Sequence, residues 1–439
     1  MKLSVIGLGK LGACSAACLA AKGFEVVGVD INKEFVDAIN SGKAPVYEPR
    51  LQDLIDESKG RLKATQDYDE VIKNTEITFL IVPTPSSKDG YFSDKYLKDA
   101  LKHLSAALGK ANKKYHLFVM TSTVSPGTIE ESLIPLIEAA SGKKLNKDFG
   151  VCYNPEFIAL GSVITDFLNP DMVLIGESNK DAGNKLAEVY KVVCENKPYV
   201  ARMSIISAEI AKISLNSYIT MKISYANTLA NICEAIPNAN IDDITKALGA
   251  DKRISPYYLK GGLSYGGPCF PRDNRAFASF ANKYGYDARL AKATDEVNDF
   301  QVKNLIDRIL AILTENNCIV SVLGLSYKPN TTVIEESPAI KIIEELLKAK
   351  DLEIIAYDPL ALDNARAYLG DNILYASSVK ECLSESSVCI ITTPHAEFKA
   401  IDASYIAHNP TFIVDCWRML DTSKLGNKVK YIALGRTVK

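Results

Sequence analysis

The chain has 439 residues, 47% hydrophobic and 24% charged, with a formal net charge of −2. That length exceeds one ordinary core and predicts two or three domains. The near-neutral charge leaves no basic footprint for nucleic acid, and no apolar run reaches the roughly 18–20 residues of a membrane span. The ten cysteines are scattered without a C-x-x-C pair. With no stretch that reads as a signal peptide, reduced thiols and a cytoplasmic location are expected. Only four histidines occur (His103, His116, His395, His408). Their spacing suggests no metal site, and catalysis by zinc or a histidine base is not expected.

The first stretch, KLSVIGLG, is a continuous apolar run of the kind a strand buried on both faces would need. It ends in Gly7-x-Gly9-x-x-Gly12 and enters LGACSAACLAAKG, a run of small helix formers; EVVGVD then reads as a second strand closed by Asp30. This is a βαβ unit with the dinucleotide fingerprint. Gly7 makes the turn, Gly9 admits a pyrophosphate and Gly12 lets helix and strand pack closely. Asp30 stands where an acid takes ribose hydroxyls, which favours NAD over NADP. Further αβ alternation follows. EITFLIVPTP (76–85) and HLFVMTSTVSPGT (116–128) are strands whose ends put Thr84 and Thr123 at the edge of the expected cofactor cleft, although a threonine in such a place commonly bonds only its own turn. At 149–167 the Asn154-Pro155-Glu156 step breaks a strand and presents a carboxylate. A strand at 170–176, a helix near 180–193 and a short strand in PYVARM complete this part.

From about 204 to 236 the chain runs without Gly or Pro, with apolar residues at helical spacing. A helix of that length could bridge domains and supply a dimer surface; its Met and aromatic residues are expected in the core. Lys212 and Asn216, four apart, share one helix face, although a lysine on an amphipathic helix ordinarily meets solvent. The stretch 261–275, GGLSYGGPCFPRDNR, sets Cys269 between Gly266, Gly267 and Pro268, Pro271, with Arg272 and Asp273 behind it. The glycines permit tight angles and close approach to a ligand. A thiol on a rigid loop beside a cation and a carboxylate is a candidate nucleophile, set against the alternative of one more packed cysteine. Helices are predicted over 274–283 and 288–313. Then IVSVLGLSYKPNT (319–331) restarts the strand–Gly–loop pattern, followed by strands at 353–359, 388–395 and 411–417. This second α/β domain lacks Gly-x-Gly-x-x-Gly, so its glycines and Lys328 suit a different nucleotide.

GLGKLG, STVSPGT, NPEF, the Lys212-x-x-x-Asn216 pair, GGPCFPRD and LGLSYKPNT, in this order and spacing, resemble the UDP-glucose/GDP-mannose dehydrogenase family over essentially the whole chain. The resemblance implies two Rossmann-like, doubly wound α/β domains joined by a long central helix within a helical middle domain. The expected boundaries are 1–200 for NAD binding, 201–313 for the helical dimerisation domain with the cysteine loop, and 314–439 for UDP-sugar binding. It implies four-electron oxidation of the C6 alcohol of a nucleotide sugar, UDP-glucose foremost, by two NAD⁺. On this pattern Cys269 is the nucleophile, Lys212 the oxyanion stabiliser and Asn216 a further donor. Asp273 and Thr123 hold the water, and Glu156 acts as general base. Gly7, Gly9, Lys10, Leu11, Gly12, Asp30, Thr84, Thr123 and Arg272 would hold NAD. Glu156, Phe157, Lys212, Asn216, Arg253 (from a partner subunit), Tyr258, Lys260, Gly266 and Lys328 would hold the sugar nucleotide, and the enzyme would be a homodimer.

Two positions depart from the family pattern. Leu160 in NPEFIALG stands where many members carry a second Glu, and Glu335 in KPNTTVIEES stands where an Arg is common. N-acetylhexosamine and GDP-mannose substrates therefore stay open beside UDP-glucose. Two competing readings are a two-electron dehydrogenase of the 6-phosphogluconate type, which would not need the cysteine loop, and a non-catalytic nucleotide-sugar-binding protein.

Overall fold

The computed structural model describes the chain except residues 88, 314–318, 350, 351, 385, 407–411, 438 and 439. His408, the expected boundary at 314 and the first residue of the strand expected at 411–417 lie outside the described residues. The chain divides into two compact units, Met1–Ile213 and Ser214–Lys439, and the division falls inside a single helix, Ile205–Ala235.

The first unit is built on eight strands: β1 (Lys2–Ile6), β2 (Glu25–Val29), β3 (Leu62–Thr65), β4 (Ile77–Leu80), β5 (His116–Met120), β6 (Phe149–Tyr153), β7 (Met172–Glu177) and β8 (Tyr199–Met203). They lie in the order β3-β2-β1-β4-β5-β6-β7-β8. Neighbours are parallel except β6 and β7, which pair antiparallel; β8 follows β7 in parallel. An open parallel sheet is thus extended by two strands of opposite direction. Alternate residues feed two cores, Leu3 and Val5 on one face and Ile6 on the other. In β1, β4, β5 and β6, where nearly every residue is buried, that double burial is why the strand reads as an almost unbroken apolar run.

The second unit carries β9 (Ile319–Leu323), β10 (Glu353–Tyr357), β11 (Leu374–Tyr375), β12 (Val388–Ile391), β13 (Phe412–Asp415) and β14 (Lys430–Ala433). They form an all-parallel sheet in the order β11-β10-β9-β12-β13-β14, the doubly wound arrangement. Before it come the helices Ile241–Ala250, Phe270–Lys283 and Arg289–Ile312.

The helix Ile205–Ala235 has 31 residues and so runs about 46 Å at 1.5 Å per residue. Its aromatic residues correct the sequence expectation. Tyr218 and Tyr225 are more than half exposed and Ile232, on the same helix, is 50% exposed; the three are spaced by seven residues. Apolar side chains lie on all sides of this helix, so periodicity alone could not separate the core face from the outward one. A second correction concerns the helix expected at 274–283. It begins at Phe270, directly after Cys269, and contains Pro271 in its first turn. Proline is tolerated there because the first N–H groups of a helix have no intrahelical acceptor to lose.

Candidate active site

In the first unit the glycine loop follows β1. Gly7 takes φ +93°, and a Cβ on Gly12 would stand 1.8 Å from the Gly7 carbonyl oxygen, so helix and turn touch backbone to backbone. Around Gly9 there is open space within 4 Å. Gly9 is also the N-cap of the helix Lys10–Ala21 and brings no side chain to it. Uncapped N–H groups beside an open approach suit a pyrophosphate. The Asp30 carboxylate accepts Leu8 N–H at 2.6 Å and Asn32 N–H at 2.8 Å, one on each oxygen. It therefore shapes the loop and keeps lone pairs for a ribose. These residues fit a dinucleotide.

The ends of β4, β5 and β6 lie along the same edge, because these strands are parallel to β1. Thr84 is buried and Thr123 partly buried. A residue not foreseen, Ser122, links their two loops: its hydroxyl donates to the Val82 carbonyl at 2.7 Å and accepts Val82 N–H at 2.9 Å. Glu209 is another. Fully buried on the long helix, it accepts Gly127 N–H at 2.7 Å and Ile129 N–H at 3.1 Å, holding the Pro-Gly turn after Thr123.

Glu156 follows β6. Burial pushes its carboxyl up to about 7, against the opposing pull of the Lys212 charge and a hydrogen bond from Tyr190. The Tyr190 hydroxyl donates to Asn154 Oδ1 at 2.6 Å and more weakly to Glu156 Oε1 at 3.4 Å. Lys212 is only 7% exposed, which answers the surface-lysine alternative. Its ammonium donates to the Glu156 carbonyl at 2.6 Å and lies over the Phe157 ring at 4.5 Å. Leu160 packs against the apolar core. Lys10 is exposed and Leu11 half-buried at the start of the helix after Gly9.

In the second unit, Cys269 is the N-cap of the helix Phe270–Lys283 and is exposed. The positive helix end favours an anion on its sulfur. The other eight described cysteines lie deeper, Cys194 partly buried and the remaining seven buried. Among the described cysteines Cys269 is thus singled out by its surroundings. One turn into its helix, Asp273 is 1% exposed and accepts from Asn216 Nδ2 at 2.6 Å. The Ser217 hydroxyl donates to Asn274 at 2.7 Å. Two consecutive residues of the long helix therefore grip two consecutive residues of the cysteine helix. Arg272 Nε reaches Asp273 Oδ1 at 3.4 Å.

The two glycines before the cysteine approach protein, where the sequence suggested a ligand. A Cβ on Gly266 would meet the Glu336 carbonyl at 2.2 Å, and one on Gly267, at φ +85°, would meet the Tyr327 ring at 2.5 Å. Tyr327, unforeseen, is pushed up to about 12, first by burial and then by Cys269 and Tyr258. Lys328 lies 5.9 Å from the Tyr327 ring centre. Lys260 is exposed, with its ammonium 5.9 Å from the Trp417 ring centre. Arg253 is not gathered with the others: its side chain is 88% exposed and ion-pairs with Asp251 at 2.6 Å. Glu335 is also exposed, and its carbonyl accepts Gly267 N–H at 3.1 Å.

The second sheet repeats the turn-and-acid arrangement with a different outcome. Gly324 has φ +95°, as Gly7 does, and Asp358 stands where Asp30 stands. Asp358, however, accepts from Leu325 N–H, Ser326 N–H and hydroxyl, Leu360 N–H, Ala361 N–H and His395. Burial would raise this carboxyl, but the His395 bond and the Ser326 and Leu325 N–H groups hold it well below the usual carboxylate range. An acid with six donors has no acceptor site left for a ribose diol, which agrees with a nucleotide other than a second dinucleotide.

Comparison with known proteins gives three successive matches to one family, the UDP-glucose/GDP-mannose dehydrogenase family: its NAD binding domain over residues 1–194, its central domain over 206–300 and its UDP binding domain over 321–422. The UDP-glucose 6-dehydrogenase AglM of Haloferax volcanii is 37% identical over 96% of this chain and 97% of its own length. A GDP-mannose 6-dehydrogenase of Pseudomonas syringae pv. tomato is 34% identical over 91% and 93%. The solved structure of a UDP-glucose dehydrogenase from Pyrobaculum islandicum superposes with a TM-score of 0.90 at 30% identity, over 99% of this chain and 98% of that one. The α/β architecture, the dinucleotide loop and these matches lead to one statement: the chain belongs to the UDP-glucose/GDP-mannose dehydrogenase family and carries its NAD-binding domain.

Proposed function

We propose that this protein oxidises the C6 alcohol of a nucleotide sugar, UDP-glucose foremost, to the uronic acid in two successive two-electron steps, with Cys269 as the covalent carrier. The observation that supports this most is the exposed Cys269 thiol at a helix N-terminus, with buried Asp273 one turn on and held by Asn216. NAD⁺, when bound at Gly7, Gly9, Gly12 and Asp30, supplies the hydride acceptor, one molecule for each oxidation. Lys10, Leu11, Thr84, Thr123 and Arg272 complete that assignment.

In the first step the C6 alcohol loses a hydride and a proton and becomes the aldehyde. The Cys269 thiolate adds to the aldehyde carbon, forming a C–S bond, and the oxyanion takes a proton to give a thiohemiacetal. Lys212 and Asn216 offset the charge on that oxygen. Loss of a second hydride and a proton leaves a thioester. Water, held by Asp273 and Thr123, attacks the acyl carbon; the C–S bond breaks, the acid leaves and the thiol is restored. Glu156, with a carboxyl near neutrality, takes the proton of the water. Phe157, Tyr258, Lys260 and Lys328 are assigned to the sugar nucleotide, together with Arg253 reaching across from a partner subunit.

The AglM and Pseudomonas relatives are named for UDP-glucose and for GDP-mannose. The experiment is therefore an NADH-release assay over a panel of UDP- and GDP-sugars. The expected result is two NADH per sugar consumed, with UDP-glucose the best substrate. One NADH per sugar would replace the proposal with a two-electron dehydrogenase, and nucleotide-sugar binding without NADH would replace it with a binding protein. The reduced cysteines suit a cytoplasmic site of action, and the outward stripe Tyr218, Tyr225 and Ile232 suits pairing of two copies into a homodimer.

A further inference from the structure

Lys222 lies on the long helix, six residues beyond Asn216, and belongs to none of the roles assigned above. Its ammonium donates to three backbone carbonyls of one loop: Ile254 and Ser255, each at 3.2 Å, and Tyr257 at 2.6 Å. An ammonium has three donors and no acceptor, so the loop supplies an oxygen for each N–H. The same loop holds two non-glycine residues at positive φ, Ser255 at 68° and Tyr258 at 59°. Such backbone persists only where the surroundings over-determine it. From the other side the loop rests on the end of the helix Ile241–Ala250, where a Cβ on Gly249 would stand 2.8 Å from Pro256 Cα.

The loop leads to the reacting end of this unit. The Tyr258 ring meets the Phe270 ring edge-on, with centres 5.9 Å apart, and Tyr265 meets Phe270 at 6.4 Å. Phe270 is the residue after Cys269 and the first of its helix. Arg253, Tyr258 and Lys260 all lie on or beside this loop.

We propose that Lys222 is a positioning residue: by binding the carbonyls of Ile254, Ser255 and Tyr257 it fixes the loop that presents Arg253 and Tyr258 to the nucleotide sugar. The inference rests on the function proposed above, since it takes those residues as substrate contacts. Lys222→Met keeps the length of the stem and removes the three donors; Lys222→Arg keeps donors. Two readouts apply. Hydrogen exchange of the amides of residues 252–260 reports on the loop without any reaction. Calorimetric affinity for the sugar nucleotide that the wild type binds best, from a panel of UDP- and GDP-sugars, reports on presentation without turnover.

The expected result for Lys222→Met is roughly tenfold faster exchange in this segment and roughly tenfold weaker sugar-nucleotide binding. Affinity for NAD⁺ should be unchanged, and Lys222→Arg should restore most of both losses. Unchanged exchange in the Met variant would overturn the proposal, because the loop would then be held by other contacts. Faster exchange with unchanged sugar-nucleotide affinity would overturn it equally, reducing Lys222 to a local structural role. Failure of the wild type to bind any sugar nucleotide would defeat the function proposed above and this inference with it, whereas normal wild-type binding with an indifferent Met variant defeats this inference alone.

Discussion

Glu156 has a structural part, and the proposed mechanism gives it a chemical one. Its backbone carbonyl anchors the Lys212 ammonium, while burial pushes its carboxyl up to about 7. A base must be ionised to take a proton, so the ionised fraction falls tenfold for each pH unit below that value. The expected pH profile of kcat, which includes the hydrolysis step, therefore has an acidic limb near pH 7, and Glu156→Gln removes that limb while lowering kcat by roughly 10²-fold or more. A limb that persisted in the Gln variant would assign it to another group. The same shift enters stability with a definite sign. A carboxyl raised above its ordinary 4.5 contributes stability below that pH, lost as pH rises through about 7. Several residues at this scale carried no signal in the sequence. Tyr190, Glu209, Tyr327 and Lys222 are of types that occur everywhere, and the Asn216–Asp273 bond joins residues 57 apart. Only the folded chain distinguishes them.

At the scale of elements, what was legible followed from double burial and from glycine geometry. β1, its helix and β2 were readable because an unbroken apolar run, three glycines at fixed spacing and a closing acid all point one way. Strand direction leaves no such mark, so the antiparallel β6–β7 pair was not foreseen. The start of the cysteine helix was hidden by Pro268 and Pro271, which read as loop although the first turn of a helix accepts proline. Between the strands lies a polar device that the sequence also kept hidden. Ser4 on β1 bonds Thr78 on β4 at 2.7 Å, and Thr78 bonds His116 Nε2 on β5 at 2.7 Å. Burial pushes His116 down to about 3, so it stays neutral in the fold and titrates near 6.5 when unfolded. A depressed group contributes stability above its unfolded value, lost as pH falls from there toward the folded one. Chemical unfolding from pH 7 to pH 4 should show this loss at up to about 1.4 kcal/mol per pH unit below 6.5. The pH-dependent part should shrink in His116→Leu; an unchanged pH dependence in that variant would contradict it.

For the whole molecule, the exposed apolar stripe is the feature most in need of a partner. Tyr218, Tyr225, Ile232 and Ile236 are each half exposed or more on the long helix and just beyond its end. A groove beside them, lined by Ile232, Ala235, Val297 and Phe300, continues the apolar surface. Light scattering should return twice the 48.0 kDa chain mass, and Tyr225→Glu should return the single-chain mass, since a carboxylate buried in such a contact is costly. A wild type at the single-chain mass would contradict the pairing. The two sheets were legible because a strand–Gly–loop pattern occurs on each side of one uninterrupted helical stretch; the boundaries expected at 200/201 and 313/314 differ from the division into two compact units after Ile213.

The central claim is that one sulfur carries the oxidised carbon between the two hydride losses. Its most direct test is intact-protein mass spectrometry of the enzyme quenched in acid during turnover with UDP-glucose and NAD⁺, followed by peptide mapping. A sugar-nucleotide acyl adduct is expected on the peptide bearing Cys269, absent when NAD⁺ is omitted and absent in Cys269→Ala. Product formation at the wild-type rate by Cys269→Ala, with no adduct on any cysteine of the wild type, would contradict it.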